Sequence, residues 1–162
     1  MRLNAHADKP LQVWEGNRLV ASGLQKRFHP WGLAVADVDG HGPAIAVGVT
    51  KSTHNLRFPH RTLFLFRIDG TTLVPRWTGS TMGRPLLEFC FSPQVPQRLF
   101  TLETRLDGRT ALSGYRWSGF GFRKIGIERT WLHAEQLISS TGRLTLKAEG
   151  HQVSFNWSEV LQ

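Results

Sequence analysis

The sequence predicts an all-β protein of about twelve short strands, and three observations indicate this class. Apolar residues alternate with other residues at a period of two, as Ile45, Val47 and Val49 do after an acidic turn. The 16 Gly and 8 Pro residues are spread along the chain as punctuation between short segments. No segment shows a convincing apolar stripe at the helical period of 3.6 residues, so the pattern favours strands over helices.

The composition predicts one folded domain with a core of its own. The chain has 162 residues, of which 40% are hydrophobic, and it includes six Trp and ten Phe. That is long and apolar enough to bury a core, and it argues against disorder. Residues 1–10 predict a flexible N-terminal arm ending at Pro10, and residues 11–162 predict a single domain.

The sequence also bears on the compartment in which the chain works. No apolar run approaches the roughly 18 residues of a membrane span. The first residues lack the apolar core of a secretory signal. Cys90 is the sole cysteine, so an intrachain disulfide is impossible. We therefore expect a soluble cytoplasmic protein without a membrane span.

The strands can be placed in order from the alternation and the turn residues. The first hairpin spans residues 11–21, and the second spans 31–49 about the acidic turn at 37–42. Further strands are predicted at 62–68, 72–77, 86–91, 98–104, 110–117, 120–127, 143–147 and 151–157. Pro75 would interrupt a central ladder, which places its strand at a sheet edge. Residues 131–137 predict either a short helical connector or the beginning of a strand.

A weak internal repeat predicts how the strands are grouped. One hairpin shape recurs around Val13, Phe66, Tyr115 and Phe155, and the last three residues lie 49 and 40 positions apart. This spacing is typical of a four-stranded propeller blade. The chain therefore predicts a β-propeller-like domain of about three four-stranded blades, whereas closed propellers have about four to eight. The ring is then either open or completed by a second copy of the chain.

The acidic turn carries a resemblance to a known family. The segment Asp37-Val-Asp-Gly-His-Gly, followed by Ile45-Ala-Val-Gly, resembles the FG-GAP or VCBS repeat of β-propellers. Residues 31–122 are also similar to uncharacterised bacterial VCBS-type proteins. The matching segments are Lys51 to Thr53, Arg61-Thr-Leu-Phe, Trp77-Thr-Gly-Ser and Tyr115-Arg-Trp-Ser-Gly-Phe-Gly-Phe. The resemblance implies a propeller-like fold, and those relatives have no agreed activity.

The resemblance also implies a calcium site at Asp37 and Asp39. His41 stands where the family has Asp, and the acidic residue that closes the family's loop is missing. Calcium takes about six to eight hard oxygen ligands, more than this turn supplies. The alternative is a structural turn in which the two carboxylates accept backbone N–H bonds, while Gly40 and Gly42 adopt positive φ. The sequence favours that turn and predicts no cofactor.

The charge is strongly positive and unevenly distributed. Lys and Arg number 20 against 12 Asp and Glu, which gives a net charge of +8. Between residues 51 and 84 six cationic side chains face Asp69 alone. The richest polar segment is a loop at 51–61 that predicts an anion-binding site. Its candidate ligand-binding residues are Lys51, His54, Arg57, His60 and Arg61.

No catalytic constellation stands out, so the sequence favours a protein that is not an enzyme. Cys90 lies in a segment whose alternation predicts a strand, so we expect it to be a buried structural thiol. The Trp residues at 77, 117 and 157 predict packing between blades. An enzyme acting on a phosphorylated or sugar substrate would require scattered groups to converge, namely Asp37, Glu88 or Glu103 with His54 or His60.

Two functions follow from these features. The favoured one is a non-catalytic interaction module that binds a protein partner or a small anionic ligand through the loop at 51–61, and self-association is expected where a second copy completes the ring. The alternative is a protein that binds nucleic acid or an anionic surface, because a basic surface attracts polyanions. The first predicts that affinity depends on residues 51–61, and the second predicts a steep dependence on salt.

Overall fold

The structure is a computed structural model that describes residues 1–4, 6–79 and 82–160, except the side chain of Ile127. Over these ranges the chain is 57% strand and 4% helix, so the predicted all-β class is confirmed. No helix within them reaches the length and apolar content that crossing a membrane would demand. The strands are β1 Arg2–Leu3, β2 Leu11–Glu15, β3 Arg18–Gly23, β4 Gly32–Ala36, β5 Ala44–Lys51, β6 His60–Asp69, β7 Thr72–Trp77, β8 Leu86–Phe91, β9 Leu99–Thr104, β10 Thr110–Trp117, β11 Phe122–Trp131, β12 Ala134–Ser139, β13 Arg143–Ala148 and β14 His151–Asn156. A 3-10 helix covers Lys26–Phe28, and a helical turn α1 covers Trp157–Val160.

Among the described residues the strands form four antiparallel meanders in three sheets. The first meander is β1-β2-β3 and the second is β4-β5-β6-β7. One parallel bridge, between Ser22 and Thr72, joins these two into a seven-stranded sheet of order β1-β2-β3-β7-β6-β5-β4. The third meander is the four-stranded sheet β8-β9-β10-β11, and the fourth is the three-stranded sheet β12-β13-β14.

A hydrophobic core lies between each meander and the next. Strand β6 shows why, since successive side chains of a strand point to opposite faces. Leu63 and Leu65 belong to the core shared with the third meander, whereas Phe64 and Phe66 belong to the core shared with the first. In β9 the alternation repeats, and Phe100 lies in the core shared with the fourth meander. The second and third meanders are therefore buried on both faces.

The sequence repeat corresponds to equivalent positions in successive meanders. Phe66, Tyr115 and Phe155 lie in β6, β10 and β14, each the third strand of its meander. All three side chains are buried in the core that their meander shares with the preceding one. The predicted spacing thus reflects a repeated structural unit.

Several strands extend further than the sequence pattern indicated. Of the two alternatives predicted at 131–137, the strand is confirmed and the helical connector is wrong, because β11 runs to Trp131 and β12 covers Ala134–Ser139. Arg2–Leu3, inside the predicted arm, pair with β2. Pro75 lies opposite Phe66 in the β6–β7 ladder. The predicted edge position is wrong, because β7 lies between β3 and β6 in the seven-stranded sheet. Within the described ranges β7 pairs with β3 only at the Ser22–Thr72 bridge, so Pro75 has no ladder partner on that side and its missing N–H is tolerated.

Candidate functional site

The predicted anion-binding loop connects two long strands of the second meander. Residues 51–61, here called the basic loop, include the end of β5 and the start of β6, where Lys51 lies opposite His60. Thr53 is buried and shapes the connection. Its N–H donates to the carbonyl of Leu56 at 2.8 Å, and its Oγ1 accepts from the N–H of Leu56 at 3.2 Å. His54 and Arg57 lie beside this turn in solvent.

Lys51 and His60 are on the same face of the sheet. The Nζ of Lys51 lies 5.2 Å from the ring centroid of Phe64 and donates to the carbonyl of Thr78 at 3.5 Å. His60 is buried, and its Nδ1 lies 2.8 Å from the carbonyl of Phe58, which requires the proton to be on Nδ1. Its Nε2 has no hydrogen-bond partner in the described part of the chain.

Arg61 points to the opposite face. Its guanidinium lies 4.8 Å from the ring centroid of Trp31 and donates to the carbonyl of Leu87, at the start of the third meander, at 3.3 Å. The indole N–H of Trp31 in turn donates to the carbonyl of Val49 at 3.1 Å. The structure therefore brings Lys51 and His60 together but places Arg61 across the sheet from them.

The charges of the basic loop are not neutralised within the described residues. No acidic side chain there forms an ion pair with Lys51, Arg57 or Arg61. The third meander contrasts with this, because three cations contact Glu128: Lys124, Arg84 and Arg105. The Lys124 ammonium and the Arg84 guanidinium hold the pKa of Glu128 at about 2, despite partial burial that opposes this. The basic loop is thus a region of uncompensated positive charge.

A buried carboxylate forms a second polar cluster, a network that was not predicted from the sequence. Glu103 of β9 accepts hydrogen bonds from the hydroxyls of Thr101 at 2.8 Å, of Ser113 at 3.2 Å and of Tyr115. The guanidinium of Arg84 lies 3.8 Å from it. Burial and then the nearby Glu103 charge raise the pKa of Tyr115 well above its ordinary value. The sequence does carry a signal for this network. Thr101 and Glu103 lie two positions apart on β9, as Ser113 and Tyr115 do on β10, and the two strands pair with each other.

The convergence that the enzyme hypothesis required is not found between Glu103 and His60. Glu103 bonds to Tyr115, which lies in the core between the second and third meanders. His60 is on the face of β6 that carries Phe64, which lies in the core shared with the first meander. The sheet of the second meander separates the two groups, so they cannot act on one substrate atom.

The acidic turn has the hydrogen bonds predicted for a structural turn. Asp37 accepts from the N–H groups of Gly40 at 2.7 Å and Gly42 at 3.2 Å, and these glycines have φ of 80° and 112°. Asp39 accepts from the N–H of His41 at 3.2 Å and from Arg76. No cluster of three or more His, Cys, Asp or Glu able to hold a metal occurs in the described ranges. Calcium at Asp37 and Asp39 stays a prediction.

The structure also shows where the single thiol and the three Trp residues with predicted packing roles lie. Cys90 is half-buried beside the core of the third and fourth meanders, and burial, followed by the Glu88 charge, raises its pKa to about 12. It is therefore protonated at neutral pH.

The three Trp residues with predicted packing roles each contact a Phe, with ring centroids 5.3 to 5.5 Å apart. The pairs are Trp77–Phe122, Trp117–Phe122 and Trp157–Phe100.

An open groove of about 310 Å³ lies beside Lys51 and was not foreseen from the sequence. It separates the chain segment around the 3-10 helix from strands β6 and β7. Its lining combines apolar side chains with one cation: Leu24, Gln25, Phe28, Lys51, Phe64, Phe66, Leu73, Pro75 and Thr78. The groove lies where β3 ends, one residue past its Ser22–Thr72 bridge to β7, and no local sequence pattern predicts that pairing.

Comparison with known proteins adds no relative to this description. No protein-family model, no curated protein and no solved structure matches this chain. The FG-GAP or VCBS resemblance therefore stays a prediction.

Proposed function

We propose that this chain is a non-catalytic, propeller-like interaction module that binds an anionic ligand or an anionic patch on a protein partner. The basic loop is the binding element. The observation that carries the proposal is the clustering of Lys51, Arg57 and Arg61 in one loop with no ion pair in the described part of the chain, whereas Arg76, Arg84 and Arg105 are paired with carboxylates elsewhere. A free guanidinium such as that of Arg57 suits carboxylate and phosphate, because its fork of N–H donors matches two oxygens.

The strand arrangement supports the propeller-like architecture. The second and third meanders have four strands each, as blades do, and their first strands β4 and β8 lie against one another. Strand β8 also contacts β12, the first strand of the fourth meander. In a propeller the first strands are likewise neighbours around a common axis. The first and fourth meanders, with three strands each, are incomplete blades in this scheme.

The outer face of the fourth meander supports an open rather than a closed ring. Thr145 and Ser154 share a hydrogen bond of 3.1 Å there, and Lys147 pairs with Glu135 at 3.2 Å. A polar outer surface is typical of the capping unit of a stacked-repeat protein. Light scattering tests this proposal, and a monomer at all protein concentrations is expected. A stable dimer would instead favour completion of the ring by a second copy.

The binding proposal is tested with a fluorescent deca-glutamate peptide as the anionic probe. We expect fluorescence anisotropy to show binding at low salt, and the double variant K51Q/R57Q to weaken it about tenfold. The matched control K9Q/R143Q likewise removes one lysine and one arginine, both exposed and outside the basic loop, and should leave the affinity unchanged. Equal binding by K51Q/R57Q and the unaltered chain would contradict the proposal.

The same titration with a single-stranded oligonucleotide addresses the alternative function. A nucleic-acid binder would prefer the oligonucleotide, and log K would fall steeply with log salt in proportion to the phosphates contacted. We expect the peptide and the oligonucleotide to bind with comparable affinity, both through the basic loop. An oligonucleotide affinity that exceeds that of the peptide by orders of magnitude and ignores K51Q/R57Q would overturn the proposal.

A further inference from the structure

The groove beside Lys51 has the construction of a small-molecule site. Its floor is formed by Phe64, Phe66 and Leu73, which are all buried and belong to the core between the first and second meanders. Phe28 of the 3-10 helix packs edge-to-face on Phe64, with ring centroids 5.1 Å apart. Core side chains are held in place by close packing, so the groove is largely preformed.

The segment that forms the opposite wall has an unusual backbone. Leu24 has φ of 68° and His29 has φ of 42°, and these two residues flank the 3-10 helix. Residues other than glycine rarely adopt this left-handed conformation, because Cβ meets the neighbouring carbonyl. His29 is the C-cap of this helix, and its N–H donates to the carbonyl of Lys26 at 3.0 Å, as left-handed caps commonly do. The two left-handed residues bend the chain at either end of the segment that presents Leu24, Gln25 and Phe28 to the groove.

The charge in the groove is confined to one end. Lys51 lines it there, with Nζ 5.2 Å from the ring centroid of Phe64 and 3.5 Å from the carbonyl of Thr78. The remaining lining residues are apolar, apart from Gln25 and Thr78. In the described part of the chain no carboxylate neutralises this ammonium. A complementary ligand is consequently apolar along most of its length and carries a single negative charge at one end.

We propose that the groove binds a small amphipathic carboxylate, with its alkyl or aryl body against Phe64 and Phe66 and its carboxylate on Lys51. This inference rests on the proposed anion-binding function, because Lys51 belongs to both, and it adds the class of ligand. A volume of about 310 Å³ suits a medium-chain acid better than a long lipid or a folded partner. The carboxylate accepts a charge-assisted hydrogen bond from Lys51, and the apolar body displaces water from the aromatic floor.

The test compares three probes by NMR titration of the ¹⁵N-labelled chain. Octanoate has both an apolar body and a charge, octan-1-ol has the body alone, and acetate has the charge alone. We expect octanoate to bind about tenfold more tightly than octan-1-ol, with shifts centred on the amides of residues 24–29, and acetate to cause no saturable shift.

Lys51→Met keeps the apolar stem of the side chain and removes the charge. We expect it to reduce octanoate affinity about tenfold, to the level of octan-1-ol. Lys9→Met removes an exposed lysine outside the groove and should leave octanoate binding unchanged. Undiminished octanoate binding by K51M, or shifts centred elsewhere, would overturn the inference.

The two proposals can fail separately. If deca-glutamate binds through the basic loop but octanoate binds no better than acetate, the groove is not a ligand site and the proposed function stands. If octanoate binds as expected while deca-glutamate does not bind, the groove proposal is supported and the broader anionic interface is overturned.

Discussion

Arg76 of β7 donates a hydrogen bond to the carboxylate of Asp39 in the acidic turn. The same guanidinium lies 5.2 Å from the ring centroid of Trp117 in the third meander. The turn is tied to that meander a second time, because the N–H of Asp37 donates to Oε1 of Gln97 at 2.8 Å. Arg76 therefore links the acidic turn, which resembles a calcium loop, to the sheet of the third meander.

Removing Arg76 should lower the free energy of unfolding. We expect R76M to cost about 2 kcal/mol at pH 7, because a charge-assisted hydrogen bond and a cation–π contact are lost together. Urea denaturation measures this. The control R67Q breaks an exposed pair with Asp69, whose charged atoms are 4.0 Å apart, and should cost under about 0.5 kcal/mol. Equal losses in the two variants would show that Arg76 is no more than a surface cation.

The pH dependence of that loss follows from the direction of the Asp39 shift. The hydrogen bond from Arg76 lowers the pKa of Asp39 below its ordinary value of 3.8. A carboxyl with a depressed folded-state pKa adds stability that is present above its unfolded pKa and is lost as the pH falls through the folded one. The difference between R76M and the unaltered chain should therefore shrink below about pH 4.

The acidic turn shows how far the sequence could predict this molecule. Alternation on either side of 37–42 located β4 and β5, and the Asp and Gly residues predicted the turn's own hydrogen bonds. The contact between Arg76 and Asp39 could not be predicted from these local patterns. The two are 37 positions apart, and their contact depends on where β7 ends beside β6. Local patterns report which face a residue occupies, and long-range neighbours depend on sheet packing.

The groove and the Glu103 network illustrate two different reasons for a missed site. The Asp107-Gly108 turn sets the β9–β10 register, and that register pairs Thr101 with Ser113. The network could therefore have been derived from the hairpin alone. The groove depends on a parallel contact between β3 and β7 across 50 positions, from Ser22 to Thr72. No period or turn residue encodes that pairing, which made the groove inaccessible to sequence reasoning.

Tyr115 offers a direct optical test of the buried network, because it is the only tyrosine in the chain. Its hydroxyl donates to Glu103, and burial together with that negative charge raises its pKa above the ordinary value of 10.0. We expect no phenolate absorbance at 295 nm as the pH passes 10, until the protein unfolds. The unfolded chain ionises first, so stability falls as the pH rises above the ordinary pKa of the phenol.

The variant E103Q separates the two causes of the Tyr115 shift. It removes the negative charge but keeps an acceptor for the hydroxyl, so the pKa of Tyr115 should fall toward its ordinary value while burial still holds it above. The control E88Q changes an exposed carboxyl of β8 and should leave the titration unchanged. A phenolate signal with a midpoint near pH 10 in the unaltered, folded chain would contradict the buried network.

Gly48 provides the sharpest packing prediction near the basic loop. A Cβ on Gly48 would lie 2.6 Å from the indole of Trp31, which no real Cβ contact tolerates. The indole also donates to the Val49 carbonyl and carries the Arg61 guanidinium on its ring. The G48A substitution must therefore displace Trp31 and Arg61 together. We expect a loss of about 1–3 kcal/mol in the free energy of unfolding, measured by urea denaturation.

The control for this substitution is G142A in the turn between β12 and β13. No described atom lies within 4 Å of the position that its Cβ would occupy, so we expect a change under about 0.5 kcal/mol. Because Arg61 lies across the sheet from Lys51, G48A should weaken deca-glutamate binding only through Arg61. Octanoate binding in the groove should then persist in folded G48A protein. Wild-type stability in G48A would show that Trp31 is not packed against Gly48.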